Sequence, residues 1–261
     1  MVNPWCNRCR LAWIFPLREE AIMRLAIRPL HCPWCIHIYY GFEPVAKVCD
    51  IDLKGSFAIK ENVISVLTNN PIEYVFGVGH GSPDKFTGEN LQPIFTVDNV
   101  DILSNKHVYL HSCLTALHLG KKAIESGVKS YAGFMIEWMW AYTPSETGGI
   151  KYENPLQDPQ AKYFFLAQNT YPLALAKNKT PEEAYKETID AYNKYIDELM
   201  KSNNEYAGQI IGLLAVDRDG FVLLSGLAAI SMKPPLIEVI AKTFAPIFLF
   251  SGVVAWKGKS F

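Results

Sequence analysis

Residues 73–134 constrain the fold of this chain more than any other stretch. Residues 74–78 and 108–110 are apolar runs of strand length. A helical pattern over residues 114–126 and a further strand-like run over 129–134 follow them. Strands that alternate with helices are typical of a parallel sheet with helices packed against it. The sequence therefore predicts an α/β fold in which a mostly parallel sheet is flanked by helices.

The first two strand-like runs each lead to a reactive side chain. His80 follows residues 74–78, and Cys113 follows residues 108–110. In an open parallel sheet, the chemistry lies at the carboxyl ends of the strands. We therefore expect the imidazole of His80 and the thiol of Cys113 to lie together. An imidazole beside a thiol is the arrangement that nucleophilic cysteine catalysis requires.

Acyl-transfer chemistry also needs a stabilised thiolate and donors for an oxyanion. A free thiol has a pKa near ~8.5, and a helix beginning at Leu114 would direct N–H groups at Cys113 and lower that pKa. Gly81 lacks a Cβ, so its N–H is open to a substrate carbonyl, and the N–H of Cys113 would be the second donor. Simpler interpretations exist, since a free cysteine is often a small buried side chain and His–Gly can be a turn.

Two short motifs at these strand ends resemble a known group of enzymes. Gly-His-Gly-Ser at residues 79–82 and His-Ser-Cys-Leu-Thr at residues 111–115 are similar to motifs of the caspase–gingipain clan of cysteine peptidases. The gingipain-like and caspase-HetF-associated branches are the most similar, and the resemblance covers roughly residues 45–195. The caspase motif Gln-Ala-Cys-x-Gly is absent, because Leu114 follows Cys113, so aspartate specificity is not implied.

The resemblance implies a fold, a mechanism and a class of substrate. The fold would be a caspase-like sheet. The mechanism would use a dyad in which His80 is the base and Cys113 is the nucleophile that forms a thioester. The resemblance further implies an active site without metal or other cofactor. The substrate would be a peptide or protein that is cleaved after a charged or polar residue.

Four of the six cysteines lie near the N-terminus, as the pairs Cys6/Cys9 and Cys32/Cys35. Four thiolates in two C-x-x-C pairs suit tetrahedral zinc, so the sequence predicts a structural zinc site. Disulfide pairing is the alternative, and it is disfavoured because the chain shows no secretory signal at its start. We accordingly predict a zinc-ribbon-like module over residues 1–38 and a caspase-like catalytic domain over 39–228.

The predicted zinc module raises the question of a binding partner. Arginines recur through this segment, at Arg8, Arg10, Arg18, Arg24 and Arg28. Such a basic segment keeps nucleic-acid binding open, although the net charge of −1 gives no general support for it. The module could equally dock a protein. For the whole chain, the alternative to a peptidase is therefore a catalytically silent caspase-like scaffold that binds a protein or nucleic acid through its zinc module.

Three residues are candidates for substrate recognition. Glu137 and Trp138 follow the strand-like run that ends at residue 134, where the resemblance implies a wall of the substrate pocket. Asp52, or its neighbour Asp50, lies where a carboxylate could select Arg or Lys. The simpler interpretations are a packed aromatic core edge and ordinary surface acids.

Other segments show weaker patterns. Residues 36–40 and 46–50 could be strands, and residues 56–69 have the apolar spacing of a helix. Residues 82–98 have loop composition with a short strand at 94–97.

Later in the chain, residues 162–175 and 180–201 are predicted helices. The second of them opens with the capping pattern Thr180-Pro-Glu-Glu183. Residues 208–224 resemble two strands around a turn at 217–220.

The last segment, residues 229–261, is a hydrophobic tail. Residues 236–256 are long enough to span a bilayer, but Glu238, Lys242 and Pro246 oppose a span. A C-terminal membrane anchor and a buried or partner-docking helix are both consistent with this pattern. We expect a cytoplasmic protein, membrane-associated through this tail if the anchor interpretation holds.

Overall fold

The computed structural model of the protein describes residues 22–32, 35–226, 228–230 and 253–255. The strands within these residues are β1 (Met23–Arg28), β2 (Ile51–Lys54), β3 (Ile72–Val78), β4 (Gly81–Ser82), β5 (Lys85–Thr87), β6 (Pro93–Thr96), β7 (His107–His111), β8 (Ser130–Phe134), β9 (Met139–Ala141), β10 (Phe221–Ser225), β11 (Ala228–Ile230) and β12 (Val253–Ala255). The α-helices are α1 (Cys35–Gly41), α2 (Glu43–Ala46), α3 (Lys60–Asn69), α4 (Leu119–Glu125), α5 (Lys162–Ala176), α6 (Pro181–Met200) and α7 (Ala207–Gly220). Short 3₁₀ helices lie at Gly55–Phe57, Glu89–Leu91, Val100–Leu103 and Pro155–Gln157.

A seven-stranded sheet forms the centre of the described part, in the order β2-β1-β3-β7-β8-β10-β11. Neighbouring strands from β2 to β8 in this order are parallel, whereas β10 is antiparallel to β8 and β11 is antiparallel to β10. Parallel neighbours need crossover connections, since a tight turn can join only antiparallel strands. The predicted α/β class, with a mostly parallel sheet flanked by helices, is confirmed.

The two faces of the sheet bury separate sets of apolar side chains. Along β3 and β7 the side chains alternate, so that Val75 and Val108 lie in one set while Phe76 and Tyr109 lie in the other. Helices α3 and α4 cover the first face, and α1, α2, α5, α6 and α7 cover the second, which we call the α5 face. Burial on both faces explains why these strands are continuous apolar runs in the sequence.

Helix α6 begins at a complete capping box, as the sequence predicts. The Thr180 hydroxyl accepts a hydrogen bond from the N–H of Glu183 at 3.2 Å, and the Glu183 carboxylate accepts one from the N–H of Thr180 at 2.8 Å. Pro181 occupies the first helical position, where a backbone N–H would have no partner within the helix. The predicted helices over 162–175 and 180–201 are confirmed as α5 and α6.

The cap makes a measurable contribution to stability. Thr180→Ala removes the side-chain acceptor, and we expect the free energy of unfolding to fall by about 1 kcal/mol. Thr180→Ser keeps a hydroxyl and is the matched control, which should remain close to wild type. Urea unfolding followed by circular dichroism measures both variants. Equal losses in the two would show that the capping hydrogen bond contributes nothing.

Three short segments differ from the sequence-based predictions. Residues 36–40 lie in α1 rather than in a strand, and residues 46–50 include the end of α2 and the turn before β2. The first part of 208–224 is the helix α7 rather than a strand. The buried side chains of α7 recur at helical spacing: Ile210, Leu213, Leu214 and Asp217. A short apolar run is compatible with the periodicity of a helix and with that of a strand. In this segment, packing on the α5 face favours the helix.

The predicted boundary at residue 38 does not separate two units in the structure. Strand β1 lies within the range 1–38, yet it pairs with β2 and β3 in the main sheet. Leu25, Ala26 and Ile27 of this strand are fully buried there. Residues 1–21, which include Cys6 and Cys9, lie outside the described residues.

A short part of the hydrophobic tail, residues 253–255, pairs with the body of the protein. These residues form strand β12, which pairs with β9 in antiparallel register, with Val254 opposite Trp140. Residues 231–252 and 256–261 of the tail lie outside the described residues. Among the helices of the described part, none has both the length and the apolar character that a membrane crossing needs.

Candidate functional site

The candidate site lies at the carboxyl ends of β3 and β7, which are adjacent parallel strands. Val78 of β3 is paired with His111 of β7. His80 lies two residues after Val78, and Cys113 lies two residues after His111. The N–H of Gly79 continues the ladder by donating to the carbonyl oxygen of His111 at 3.3 Å. The rule for parallel sheets therefore places both sequence-predicted residues at the same sheet edge.

Gly81 is in close contact with the segment that carries Cys113. A Cβ at position 81 would lie 2.1 Å from the Ser112 Oγ, 2.6 Å from the Cys113 carbonyl oxygen and 2.6 Å from the Thr115 Cγ2. Only a glycine allows this approach without movement of the backbone. The structure thus brings the segment 80–81 against the segment 112–115.

The Cys113 side chain faces the interior on the α5 face. Only 2% of the residue is exposed, and its Sγ lies 4.0 Å from the carbonyl oxygen of Trp138. Burial raises the pKa of the Cys113 thiol well above its ordinary value, and the nearby carboxylates of Glu137 and Asp217 raise it further. In this form of the protein the thiol is protonated and shielded from solvent.

The helix predicted to begin at Leu114 begins five residues later, at Leu119. Leu114 has a φ of 62°, which is the left-handed conformation that helices exclude. The N–H groups of Leu114 and Ala116 donate to the carbonyl oxygens of Ile136 and Phe134, at 2.9 and 3.0 Å. These hydrogen bonds join residues 114–116 to the end of β8 and the residues after it. The prediction that a helix begins here and stabilises a Cys113 thiolate is therefore wrong.

The His80 imidazole lies against the N-terminal cysteine pair. Its Nε2 is 3.7 Å from the Cys32 Sγ and 3.9 Å from the Cys35 Sγ. The His31 and His80 rings have centroids 5.5 Å apart. Burial lowers the pKa of His80 to about 3, with a smaller contribution from His31. The imidazole is therefore neutral at ordinary pH.

The small antiparallel sheet of β4, β5 and β6 holds the backbone at His80. The His80 carbonyl oxygen accepts hydrogen bonds from the N–H of Thr87 at 2.9 Å and from its hydroxyl at 3.2 Å. The predicted strand at 94–97 corresponds to β6. The rest of this segment was predicted as a loop, but it also contains Ser82 of β4, the strand β5 and a 3₁₀ helix. Two strands this short, among charged and turn residues, give no periodic signal in the sequence.

Cys32 and Cys35 are joined by a disulfide bond. Strand β1 precedes this pair, and α1 begins at Cys35. The N–H of Cys35 lies 2.9 Å from the carbonyl oxygen of Cys32 and 3.0 Å from the Sγ of Cys32. A C-x-x-C pair between a strand and a helix is an arrangement typical of redox-active cysteines. The expectation that disulfide pairing is disfavoured is therefore wrong for these two residues.

The disulfide pair belongs to a cluster of residues with metal-ligand chemistry. One ligand atom from each of His31, Cys32, Cys35 and His80 lies within 4.8 Å of the others. Imidazole nitrogens and thiolate sulfurs are the usual ligands of zinc, so the cluster could hold a metal ion once the disulfide is reduced. Cys32 and Cys35 were predicted as ligands, whereas Cys6 and Cys9 lie outside the described residues.

His31 is not among the ligands predicted from the sequence, and His80 is predicted there as a catalytic base rather than as a ligand. The signal for His31 is its position immediately before Cys32, which makes the motif His-Cys-x-x-Cys. No comparable signal connects His80 with these cysteines, because their contact spans more than forty residues of chain.

Trp138 and Glu137 lie beside Cys113, but Trp138 is part of the core. Trp138 is 2% exposed and stacks on Trp140 with ring centroids 4.9 Å apart. The Trp138 ring is also nearly perpendicular to the ring of His111, with centroids 4.1 Å apart. Glu137 is partly exposed, so it is the more accessible of the two predicted recognition residues.

Asp52, the third predicted recognition residue, pairs with Arg28. Its carboxylate accepts hydrogen bonds from the Arg28 Nη2 at 2.6 Å and Nε at 3.0 Å. Only 7% of the Arg28 side chain and 24% of the Asp52 side chain are exposed. The pair joins β1 to β2, and the carboxylate already has a cationic partner within the protein.

This pair predicts a stability effect. Asp52→Asn leaves the Arg28 guanidinium buried without its counter-charge, and we expect the free energy of unfolding to fall by about 2 kcal/mol. The double variant Arg28→Met/Asp52→Leu removes both charges and should recover most of this loss. Urea unfolding of both variants measures the effect. An Asp52→Asn variant of wild-type stability that loses binding of basic peptides would instead support a recognition role.

Comparison with known proteins adds no assignment to this geometry. No protein-family model matches the chain, and no curated protein matches it either. The function must therefore be argued from the residues at the sheet edge and from the fold that positions them.

Proposed function

We propose that the protein is a cysteine endopeptidase of the caspase-like type, with Cys113 as the nucleophile and His80 as the base. The observation that supports the proposal is that His80 follows Val78 of β3 and Cys113 follows His111 of β7, two residues that are paired on adjacent parallel strands. The contact of Gly81 with Ser112 and Cys113 joins the two segments. The sheet order, with parallel strands from β2 to β8 and an antiparallel β10, is compatible with the caspase-like fold that the sequence motifs imply.

The proposed reaction is acyl transfer to a thiol. His80 takes the proton of Cys113, and the thiolate attacks the carbonyl carbon of a peptide bond. The N–H groups of Gly81 and Cys113 would donate to the oxyanion. When the intermediate collapses, the C–N bond breaks, the amine leaves with the proton from His80, and a thioester remains. Water, deprotonated by His80, then releases the carboxylic acid and restores the thiol.

The proposal requires a change from the form that the structure describes. The Cys113 thiol is buried beside Trp138, and the His80 imidazole contacts Cys32 and Cys35. A catalytic base works best with a pKa near the operating pH, whereas burial lowers the pKa of His80 to about 3. We therefore propose that this form is latent. Displacement of His31, Cys32 and Cys35 from His80 would expose the imidazole.

The burial of Cys113 also favours a second candidate, a catalytically silent scaffold of the same fold. In that case the N-terminal segment would bind a protein partner or nucleic acid. Its structural zinc site would use Cys6, Cys9, Cys32 and Cys35 as ligands. The two candidates differ in one observable property, the reactivity of Cys113.

Covalent labelling separates the two candidates. The full chain is incubated with peptidyl acyloxymethyl ketones bearing Arg, Lys, Asp or Asn next to the warhead, with a phosphine reductant and a metal chelator. The peptidase proposal predicts label on Cys113, located by peptide mass spectrometry. Label on no cysteine, in protein with a native circular dichroism spectrum, would support the scaffold instead.

A further inference from the structure

We infer that the reduced protein binds one Zn²⁺ ion through His31, Cys32, Cys35 and His80, and that the bound ion keeps His80 away from Cys113. One ligand atom from each of the four residues lies within 4.8 Å of the others. Two thiolates and two imidazoles form a common ligand set for tetrahedral zinc. The effect on Cys113 rests on the proposed peptidase function, whereas the metal site does not.

The spacing of the donor atoms fits zinc. Bonds of about 2.3 Å to sulfur and about 2.0 Å to nitrogen place these ligand atoms about 3.5 Å apart in a tetrahedron. The His80 Nε2 lies 3.7 Å from the Cys32 Sγ and 3.9 Å from the Cys35 Sγ. Only small side-chain shifts would therefore bring this nitrogen and the two sulfurs to ligand distance, after the sulfurs separate.

The backbone around the four residues is already organised. The Cys35 N–H lies 3.0 Å from the Cys32 Sγ, where it can donate to a thiolate. Two hydrogen bonds from Thr87 fix the His80 carbonyl oxygen. His31 and the cysteines lie on the connection from β1 to α1, and both elements pack into the main fold. Ligands on fixed elements lose little freedom when they bind an ion.

Glu89 lies close to one ligand. Its carboxylate accepts a hydrogen bond from the N–H of Leu30 at 2.7 Å and lies 4.0 Å from the His31 Nδ1, beyond hydrogen-bond distance, and within the described residues both buried ring nitrogens of His31 are without a hydrogen-bond partner. A carboxylate on one ring nitrogen commonly orients a histidine so that the other nitrogen binds the metal. We therefore assign the Nε2 of His31 as its ligand atom. Two thiolates would balance the charge of the ion.

The disulfide and the metal site are alternative states of the same two cysteines. A phosphine reduces the disulfide by accepting an oxygen atom from water, which leaves two thiols and a phosphine oxide. Zn²⁺ then displaces one proton from each thiol. Exchange with a small disulfide reverses the process, because it rejoins Cys32 to Cys35, releases two small thiols and expels the ion. Metal binding is therefore expected only in the reduced protein.

A different ligand set is predicted by the cysteine spacing alone. Both sets include Cys32 and Cys35, but the alternative uses Cys6 and Cys9 in place of His31 and His80. The sets differ in the number of thiolates, four against two. Co²⁺ distinguishes them, since it occupies zinc sites and the intensity of its thiolate charge-transfer absorption rises with each sulfur ligand.

The test is a titration of the full-length protein with Co²⁺ and then Zn²⁺, after reduction with a phosphine and removal of metal. We expect one equivalent of Co²⁺ with the spectrum of a two-thiolate, two-imidazole site, displaced by Zn²⁺. Protein that keeps its disulfide should bind no ion. Absence of binding by reduced protein with a native circular dichroism spectrum would overturn the inference.

Ligand variants decide which residues bind the ion. His31→Ala and His80→Ala should each weaken Co²⁺ binding at least about 100-fold, and Glu89→Gln about 10-fold. His80→Cys keeps a ligand and should retain the ion with the stronger absorption of a third thiolate. His118→Ala, an exposed control, should bind as wild type. Loss of binding in Cys6→Ser/Cys9→Ser, with wild-type binding in both histidine variants, would establish the four-cysteine site instead.

Labelling of Cys113 with the acyloxymethyl ketone tests the coupling. Stoichiometric Zn²⁺ should suppress labelling of reduced wild-type protein, and His31→Ala should need at least about 100-fold more Zn²⁺ for the same effect. Equal labelling of wild type with and without bound Zn²⁺ would overturn the coupling. No labelling under any condition would overturn the proposed peptidase, while the cobalt spectra of His80→Cys would still decide whether His80 binds the ion.

Discussion

Replacing Cys113 or His80 by alanine is expected to reduce peptide-bond cleavage by at least about 10³-fold. Cys113 would supply the attacking sulfur, and His80 would make the proton transfers. Cys49, which is also outside a disulfide, cannot replace Cys113 because it precedes the amino end of β2, whereas the candidate site lies at the carboxyl ends of β3 and β7. Turnover of fluorogenic peptides with Arg, Lys, Asp or Asn before the scissile bond measures the effect, with reductant and chelator present.

Two matched variants control this experiment. Cys49→Ala removes the other cysteine of the described residues that lies outside a disulfide, and His118→Ala removes an exposed imidazole that pairs with Asp84. Both should keep wild-type turnover. Cleavage that survives in Cys113→Ala would identify a contaminating peptidase or a different nucleophile, and the proposed mechanism would fail. If only His80→Ala keeps activity, His80 is not the base.

Gly81→Ala is expected to lower the stability of the protein, because the added methyl group would collide with the segment that carries Cys113. The new Cβ would lie 2.1 Å from the Ser112 Oγ and 2.6 Å from the Cys113 carbonyl oxygen. The hydroxyl can rotate away, but the carbonyl belongs to the backbone, so the segments 80–81 and 112–115 must separate. We expect the free energy of unfolding to fall by about 2–3 kcal/mol. Labelling of Cys113 should also be lost.

Gly212 provides the control for this change. It lies on the exposed side of α7, and a Cβ there would have no atom within 4 Å. Gly212→Ala should raise the free energy of unfolding by up to about 1 kcal/mol, because alanine favours a helix more than glycine does. Urea unfolding followed by tryptophan fluorescence compares the variants. A Gly81→Ala protein with wild-type stability and labelling would show that the contact between the two segments is not needed.

Some of the site could be predicted because its signals are local. The apolar runs that become β3, β7 and β8 are each visible in a few residues, and burial on both faces makes them continuous. Their ends identify His80 and Cys113 as neighbours at one sheet edge. The capping box of α6 is likewise contained within Thr180–Glu183, so its hydrogen bonds could be anticipated in detail.

Other features could not be predicted because they depend on distant parts of the chain. The left-handed conformation of Leu114 accompanies hydrogen bonds to the segment after β8, and no pattern in residues 113–118 announces it. The helical state of α7 depends on packing against the α5 face. Arg28 and Asp52 become a pair only because β1 and β2 are adjacent in the sheet.

The α/β class and the positions of His80 and Cys113 after apolar strands could be predicted from the sequence. These follow from periodicity and from the direction of parallel strands, which are properties of short segments. The surroundings of the two side chains depend instead on the folded chain, which places the Cys113 thiol in the core and the His80 imidazole beside Cys32 and Cys35. Burial and side-chain contacts could not be predicted, because they depend on which distant segments pack over the end of a strand.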